Sequence, residues 1–255
     1  MSGPPQRWPG SGCGKSERCT DDELHVIRLC SRTWALRQDK CVTVEAPVMF
    51  LMVGDECALL LDTGDVRQDG GWLHKTLDRL VPEGIPLLVH ATHPHSDHVA
   101  GHDMMRRWRP GSTRVMDEPL PDEHVIHLGG GRQVTVLHAG KGHSAWDVCF
   151  LDSETRYLFT GDVLYPGYLF IRNYDSYKEG MSRLHARVKG KYVLSFGAHI
   201  EMSRGQGLYP TECRMQGDEV PLQQEPKVLD ELVRVLLQPA APMTSSFALC
   251  PRSNL

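Results

Sequence analysis

Four side chains of types that bind metal ions lie within six residues, in the segment His93-x-His95-x-Asp97-His98. The segment directly follows residues 85–91, a short apolar run that is typical of a strand buried on both faces. Residues two apart in an extended segment point to the same side, so His93 and His95 can bind one ion. Asp97 and His98 follow where the chain bends and can face a second ion. Imidazole and carboxylate ligands without a thiolate favour a catalytic zinc site over a structural one; a polar loop without metal is the alternative.

Three further candidate ligands each follow a predicted strand: His143, Asp162 and His199. A glycine lies one or two residues before each of them, which lets the backbone turn tightly beside a site. Any one of them alone would more often be a helix cap or a surface residue. Together, three such residues at strand ends after one dense motif indicate a shared site.

The hydrophobic pattern predicts strands and helices in alternation. Apolar runs predict strands at 48–53 and 57–61, joined by a hairpin at Gly54-Asp55. Strands in two groups with helices between them indicate an α/β fold of stacked sheets covered by helices. The spacing of apolar residues predicts helices over 71–80, 99–108, 177–188 and 227–237.

The organisation of the chain favours one domain. We predict this domain over residues 21–239, after a disordered leader over 1–20 that is rich in Gly, Pro and Ser, and before a loose tail over 240–255. The leader lacks the apolar stretch of a secretory signal, although a weak organellar targeting peptide stays open.

Composition argues against several classes of protein. The net charge is −4, with 28 basic and 32 acidic residues, so the basic surplus typical of nucleic-acid binding is missing. No run approaches the roughly 18 apolar residues of a membrane span. The eight cysteines include no CxxC pair, which favours reduced thiols over a zinc knuckle or a disulfide framework. We therefore expect a cytoplasmic protein with a small-molecule substrate, no nucleic-acid partner and no membrane; the oligomeric state stays open.

These motifs resemble the metallo-β-lactamase-fold hydrolase superfamily over roughly residues 40–200. Residues 93–98 are similar to its HxHxDH motif, and Asp62 in Leu-Asp-Thr-Gly is similar to its upstream aspartate, which orients a ligand or loop more often than it binds metal. The resemblance implies a four-layer αββα sandwich and two zinc ions. It also implies a division of the ligands, with one ion held by His93, His95 and His143, the other by Asp97, His98 and His199, and Asp162 bridging both.

The closest motifs are those of glyoxalase II-like thioesterases and acyl-homoserine lactonases, because true zinc β-lactamases usually lack an aspartate at the place of Asp162. The resemblance therefore implies hydrolysis of a carbonyl ester, thioester or lactone by a metal-bound hydroxide. Asp97 and Tyr165 are the candidate catalytic residues. Tyr165 is similar to a lactonase tyrosine that points at the substrate oxygen, and packing within its loop is an equal alternative.

The substrate is left open by the departures from the family pattern at Lys141, at residues 145–147 and at Ala100-Gly101. The chain is also too short for the helical glutathione-binding domain of glyoxalase II, so glutathione thioesters are not expected. Trp146, Tyr168 and Phe170 could line an acyl pocket or simply pack.

Four rival functions remain. The first is metallo-β-lactamase activity, and the second is hydrolysis of a small phosphodiester. The third is a mono-iron oxygenase on the same fold, in which two histidines and an aspartate hold the iron; the complete set of seven ligands argues against it. A non-catalytic binding module is the fourth, and it usually shows lost ligands.

Overall fold

The computed structural model describes residues 11–12, 24–40, 42–65, 71–205, 207–238 and 246–251. The helices are α1 (Gly71–Leu80), α2 (Ser96–Val99), α3 (His102–Arg107), α4 (Tyr174–Val188) and α5 (Pro226–Leu236). The strands are β1 (Ser11–Gly12), β2 (His25–Cys30), β3 (Thr33–Arg37), β4 (Val48–Val53), β5 (Ala58–Leu61), β6 (Leu87–His90), β7 (Thr113–Met116), β8 (Val125–Gly129), β9 (Arg132–Gly140), β10 (Asp147–Asp152), β11 (Tyr157–Gly161), β12 (Tyr168–Ile171), β13 (Leu194–Gly197), β14 (Met202–Ser203), β15 (Gly207–Leu208), β16 (Met215–Gln216), β17 (Gln223–Gln224) and β18 (Ala248–Pro251).

Two six-stranded sheets form the frame, in the orders β2-β3-β4-β5-β6-β7 and β17-β13-β11-β10-β9-β8. Each has an antiparallel meander that leads into parallel strands. In the first sheet β5, β6 and β7 are parallel. In the second sheet β11 and β13 are parallel, and β17 adds to β13 as an antiparallel edge strand. A parallel pair requires a crossover connection, usually a helix. Here α1 lies in the connection from β5 to β6, and α4 lies in the connection from β11 to β13. The carboxyl ends of these four parallel strands therefore lead into loops.

Both faces of β4 are buried, which shows how the layers stack. Phe50 points toward the second sheet, and its ring centroid lies 4.8 Å from that of Phe159. Leu51 points the other way, into a cluster with Leu73 of α1 and Met105 of α3. The burial of alternate residues on opposite faces therefore places helices outside the first sheet and the second sheet inside.

The outer face of the second sheet packs on α4 and α5. Leu137 and Leu158 of the sheet share a cluster with Met181 of α4 and Leu232 of α5. Asn173 caps α4 by accepting a hydrogen bond from Ser176 N–H at 3.0 Å. The order of layers is helix, sheet, sheet, helix, and the predicted αββα sandwich is confirmed.

The predicted helix over 99–108 is interrupted, so that α2 and α3 are separate short helices. Gly101 lies at the break, and its N–H donates to Thr63 Oγ1 at 3.1 Å. A Cβ atom at Gly101 would lie 2.8 Å from the Cβ of Thr63. This close approach lets Thr63, just after β5, also donate through N–H and Oγ1 to the carbonyl of His98 at 2.8 and 3.0 Å. The break thus fixes α2 against the first sheet.

The predicted leader and tail differ from the structure where their residues are described. Ser11–Gly12 pairs antiparallel with Met215–Gln216, so these two residues are not part of a disordered leader. Ala248–Pro251 pairs parallel with Tyr168–Ile171, and Phe247 is fully buried, so this part of the tail is not loose. The remaining residues of both segments lie outside the described ranges. No helix in the described part of the chain is long and apolar enough to cross a membrane; the cytoplasmic location stays a prediction.

Candidate metal centre

The seven candidate ligands meet at one edge of the two sheets. Residues 93–98 follow β6, Asp162 follows β11, His199 follows β13, and His143 lies in the turn between β9 and β10. Gly161 allows the tight approach of β11, because a Cβ atom there would lie 2.6 Å from Thr92 Oγ1 and its φ is +50°. The structure therefore brings together candidate ligands that are up to 106 positions apart in the chain.

The first donor set consists of His93, His95, His143 and Asp162. His95 Nδ1 lies 3.0 Å from His93 Nε2 and 3.1 Å from His143 Nε2. Asp162 Oδ2 lies 3.7 Å from His93 Nε2 and 3.5 Å from His143 Nε2. All four donor atoms lie within 4.8 Å of one another, so one ion can contact all of them.

The second donor set consists of Asp97, His98 and His199. Asp97 Oδ2 lies 3.2 Å from His98 Nε2 and 3.6 Å from His199 Nε2. The other oxygen of Asp162, Oδ1, lies 3.6 Å from His98 Nε2 and 3.3 Å from His199 Nε2. Asp162 therefore presents one oxygen to each set, which is the bridging position that the resemblance implies.

The chemistry of these donors fits cations. His98 Nε2 and Asp162 Oδ1 are buried and make no hydrogen bond to any part of the chain that the structure describes. Buried polar atoms without a partner are rare, and they usually mark a ligand or a water. In the first set three imidazole nitrogens converge on one point, an arrangement that a positive ion stabilises. Nitrogen and carboxylate donors suit zinc.

The two sets differ in their affinity for protons. Burial lowers the pKa of His93 well below its ordinary value, and burial followed by the charge of His143 lowers the pKa of His95 to about 4. Burial also acts on His199, but Asp162 and then Asp97 outweigh it and raise its pKa to about 9. The first set is therefore ready to bind a cation, whereas a cation in the second set has to displace protons.

The outer nitrogen of each buried imidazole is anchored by an oxygen. His93 Nδ1 contacts Thr92 Oγ1 at 3.0 Å, and His98 Nδ1 contacts Asp62 Oδ2 at 2.9 Å. Such partners fix the tautomer that leaves Nε2 facing the ion. The same arrangement holds for His143 with the carbonyl of Phe170 at 2.7 Å and for His199 with the carbonyl of Glu45 at 3.0 Å.

Asp147 shapes the turn that carries His143, a role that the sequence interpretation missed. Its Oδ2 accepts from the N–H groups of Gly142 and His143 at 3.0 and 2.9 Å. Its Oδ1 accepts from the N–H and the hydroxyl of Ser144 at 3.0 and 2.7 Å. An aspartate a few residues after a glycine-flanked histidine was the available signal, because aspartate side chains commonly bond to nearby backbone N–H groups in turns.

A cavity of about 260 Å³ opens over both donor sets. Phe170 contributes to its wall, as one of the sequence predictions allowed, and Trp146 instead packs against the cluster between the sheets. The charged residues of the wall outside the ligands are Lys40, Glu45, Arg172, Glu201 and Glu212.

Tyr165 does not face this cavity. Its side chain is buried, its hydroxyl donates to the carbonyl of Tyr168, and its ring packs 5.4 Å from that of His199. Burial, followed by the charge of Glu201, raises the pKa of the phenol well above its ordinary value. The hydroxyl therefore follows the packing alternative and not the orientation toward the cavity that the resemblance implied.

Known proteins resemble this chain in sequence and in fold. No family model matches it. Human acyl-coenzyme A thioesterase MBLAC2 is 30% identical over 167 residues, which cover 48% of this chain and 59% of that protein. The atrochrysone carboxyl ACP thioesterase of Pseudocercospora fijiensis is 28% identical over 128 residues, covering 47% of this chain and 38% of that protein. The chain thus spans at most about three fifths of the length of these two relatives.

Solved structures resemble this chain in fold. A metallo-beta-lactamase from Pontibacter korlensis matches 85% of this chain and 100% of its own with a TM-score of 0.60, at 17% identity. DIM-1 metallo-beta-lactamase matches 84% of this chain and 97% of its own with a TM-score of 0.59, at 15% identity. Likeness at such low identity establishes the fold alone.

Proposed function

We propose that this chain, which has the metallo-β-lactamase fold, is a metal-dependent hydrolase of carbonyl thioesters and related esters. The observation that carries the proposal is the convergence of two donor sets on the floor of a cavity, with one oxygen of Asp162 facing each set. The thioesterase names of the two relatives favour thioesters over lactones. Because names of distant relatives are weak guides to substrate, the chemistry of the site has to be tested directly.

The proposed cofactor is a pair of zinc ions. His93, His95 and His143 would hold one ion, Asp97, His98 and His199 the other, and Asp162 would contact both. When bound, such ions supply Lewis acidity toward a carbonyl oxygen and lower the pKa of a water.

The chain itself supplies position, charge and exclusion of water. Burial of Asp97 is outweighed by the charges of His98 and His199, which lower the pKa of its carboxyl group. Because its pKa is lowered, the carboxylate stays ionised. Since it also lines the cavity, it can accept a proton from a water that attacks the substrate. We therefore retain Asp97 as a proposed catalytic residue as well as a ligand.

The test is a metal analysis and a substrate panel on one purified sample of the full chain. We expect about two zinc ions per chain and zinc-dependent hydrolysis of acyl-coenzyme A thioesters, with weaker action on a lactone and on a chromogenic cephalosporin. Asp162→Asn should lower kcat/KM by at least about 100-fold. The exposed Asp103→Asn is the matched control and should not change it.

Two results would contradict the proposal. Preference for the cephalosporin would assign β-lactamase activity instead. About one iron and no zinc, without hydrolysis of any ester, would support the mono-iron oxygenase.

A further inference from the structure

Lys40 places a buried positive charge in the wall of the cavity. It lies in the loop between β3 and β4 and is only 3% exposed. The cavity that it lines also exposes Asp97, His143 and Asp162. A lysine whose side chain is this buried is unusual, because an ammonium group loses strong hydration when it leaves water.

The ammonium group has donors to spare. Nζ donates to the carbonyl of Val44 at 2.9 Å, and an ammonium has three N–H groups. Within the described ranges, no carboxylate oxygen forms an ion pair with Nζ. Holding one carbonyl oxygen requires only a neutral donor, so the buried charge has no structural explanation in this contact.

Two of the three glutamates whose charge acts on Lys40 hold other groups, and the third, Glu45, forms no ion pair with Nζ in the described part of the chain. Glu219 receives both terminal nitrogens of Arg37 at 2.7 and 2.9 Å. Glu201 accepts from the N–H of Tyr168 at 3.0 Å. Burial, followed by the charge of Arg37, lowers the pKa of Lys40, although these glutamates partly offset the effect. The surroundings therefore favour a new anionic partner for Lys40.

The position of Lys40 relates that partner to the metal centre. Lys40 and Glu45 lie on one wall, and the carbonyl of Glu45 anchors His199 of the second donor set. Phe170 lies on the wall beside the first donor set, where its carbonyl anchors His143. A short substrate whose carbonyl lies over the donor sets can thus extend one end to Lys40.

We propose that Lys40 binds the terminal carboxylate of a short dicarboxylic acyl group, so that the substrate class is the thioesters of short dicarboxylic acids. This inference rests on the proposed function. The wall holds the glutamates Glu45, Glu201 and Glu212 and one other cation, Arg172. Lys40 itself offers a single ammonium, and one ammonium matches a singly charged carboxylate better than a doubly charged phosphate, which is usually bound by several donors. Lys40 lines the same cavity of about 260 Å³ as Asp97 and His143, so a short acyl group suffices to join Lys40 to the donor sets.

The test compares thioesters that differ in one charge. Glutaryl and pentanoyl thioesters of N-acetylcysteamine share a neutral leaving group and differ by the terminal carboxylate. A pentanoyl thioester of 3-mercaptopropionate moves the carboxylate to the leaving group. We expect the wild type to prefer the glutaryl thioester over both others by about tenfold or more in kcat/KM. A preference for the mercaptopropionate thioester, or equal rates for all three, would overturn the assignment.

Two variants test Lys40 itself. Lys40→Met keeps the length of the side chain and removes its charge, and Lys40→Arg keeps the charge. We expect Lys40→Met to raise KM for the glutaryl thioester by about tenfold or more and to leave the pentanoyl thioester within about twofold, with Lys40→Arg in between. Equal effects on both thioesters would show a purely structural role and overturn the proposal. If Lys40→Met does not fold, the wild-type ratio and Lys40→Arg decide.

Binding of glutarate separates this inference from the proposed function. Calorimetry on the zinc-loaded protein should show binding of glutarate that Lys40→Met weakens by about tenfold or more. Lys40-dependent binding without hydrolysis of any thioester would refute the proposed function and keep the anion site. Hydrolysis of thioesters without Lys40-dependent binding of glutarate would refute the anion site and keep the proposed function.

Discussion

His98 donates through Nδ1 to the carboxylate of Asp62 at 2.9 Å, and neither side chain is exposed. The same carboxylate accepts from the N–H of Thr92 at 2.6 Å and from its hydroxyl at 3.0 Å. Thr92 Oγ1 in turn contacts Nδ1 of His93. One carboxylate therefore supports a histidine in each donor set.

We predict that Asp62→Asn lowers the affinity of the chain for both metal ions. The backbone at Asp62 has a φ of +65°, which asparagine tolerates, so the substitution changes hydrogen bonding rather than the path of the chain. Loss of such an anchor typically lowers metal affinity about 10–100-fold. Competition with a chromogenic zinc chelator measures both affinities. One ion retained at wild-type affinity would show that Asp62 supports only one set.

We predict that Asp147→Asn lowers the affinity of the first donor set for its metal ion and leaves that of the second set unchanged. An asparagine has one acceptor oxygen for four donors, and its NH₂ group would face the N–H groups of the His143 turn. The unmade bonds should cost about 2 kcal/mol or more in the free energy of unfolding. Native mass spectrometry at limiting zinc should show one ion per chain where the wild type shows two. Loss of both ions at once would argue against this separation.

The strand-end ligands could be predicted from the sequence because their geometry depends on few assumptions. Residues two apart in an extended segment share a face, which groups His93 with His95. Residues that follow neighbouring parallel strands meet at one edge of a sheet, which groups Asp162 with His199. That the two groups face each other across the two sheets came from the resemblance. The four-layer order came from the resemblance, and alternation of strands and helices supported it.

Several contacts between distant segments could not be predicted in the same way. Arg37 and Glu219 are 182 residues apart, and no local pattern pairs them. The direction of the Tyr165 hydroxyl depends on how its loop packs. Residues 248–251 form too short an apolar run to predict a strand, and they form one because β12 offers its backbone.

We predict that Glu219→Gln lowers the affinity of the second donor set for its metal ion and leaves that of the first set unchanged. Arg37 donates both to Glu219 and, through Nε at 3.1 Å, to the carbonyl of Ala46, next to the Glu45 carbonyl that anchors His199. Ala46 has a φ of +41°, so this turn depends on such contacts. Breaking a buried pair costs about 3–5 kcal/mol. Zinc titration should show one ion lost, and the affinity of the other unchanged.

A second buried pair provides the control for general destabilisation. Arg132 and Asp152 are both unexposed, and their side chains meet at 2.7 Å, where Arg132 also donates to the carbonyl at the end of β4. That carbonyl belongs to Val53, on the edge of the sheet away from the metal centre. Asp152→Asn should therefore lower stability comparably and keep both ions. If it also loses an ion, the effect of Glu219→Gln is not specific.

We predict that Tyr165→Phe leaves hydrolysis nearly unchanged. The hydroxyl bonds to the Tyr168 carbonyl within the loop, so its removal should lower stability by about 1 kcal/mol and change kcat by less than about threefold. Steady-state kinetics and urea unfolding measure the two effects. A fall in kcat of about 100-fold at constant KM would restore the hydroxyl as a donor to the reacting oxygen.

We predict that His90 makes the protein less stable in acid. The ring is fully buried, its Nδ1 donates to the carbonyl of Ala91 at 2.6 Å, and its Nε2 accepts from the N–H of Leu120 at 3.0 Å, so only the neutral form satisfies both bonds. Burial lowers the pKa of His90 to about 4, against about 6.5 in the unfolded chain. Between these values the unfolded state binds the extra proton, so stability falls as the pH falls, by about 3 kcal/mol at pH 4.

His90→Gln removes this titration. Urea unfolding of both metal-free proteins from pH 7 to pH 4 should show the wild-type advantage shrink by that amount, because the other histidines contribute equally to both. A constant difference across the range would mean that His90 does not titrate as its burial requires.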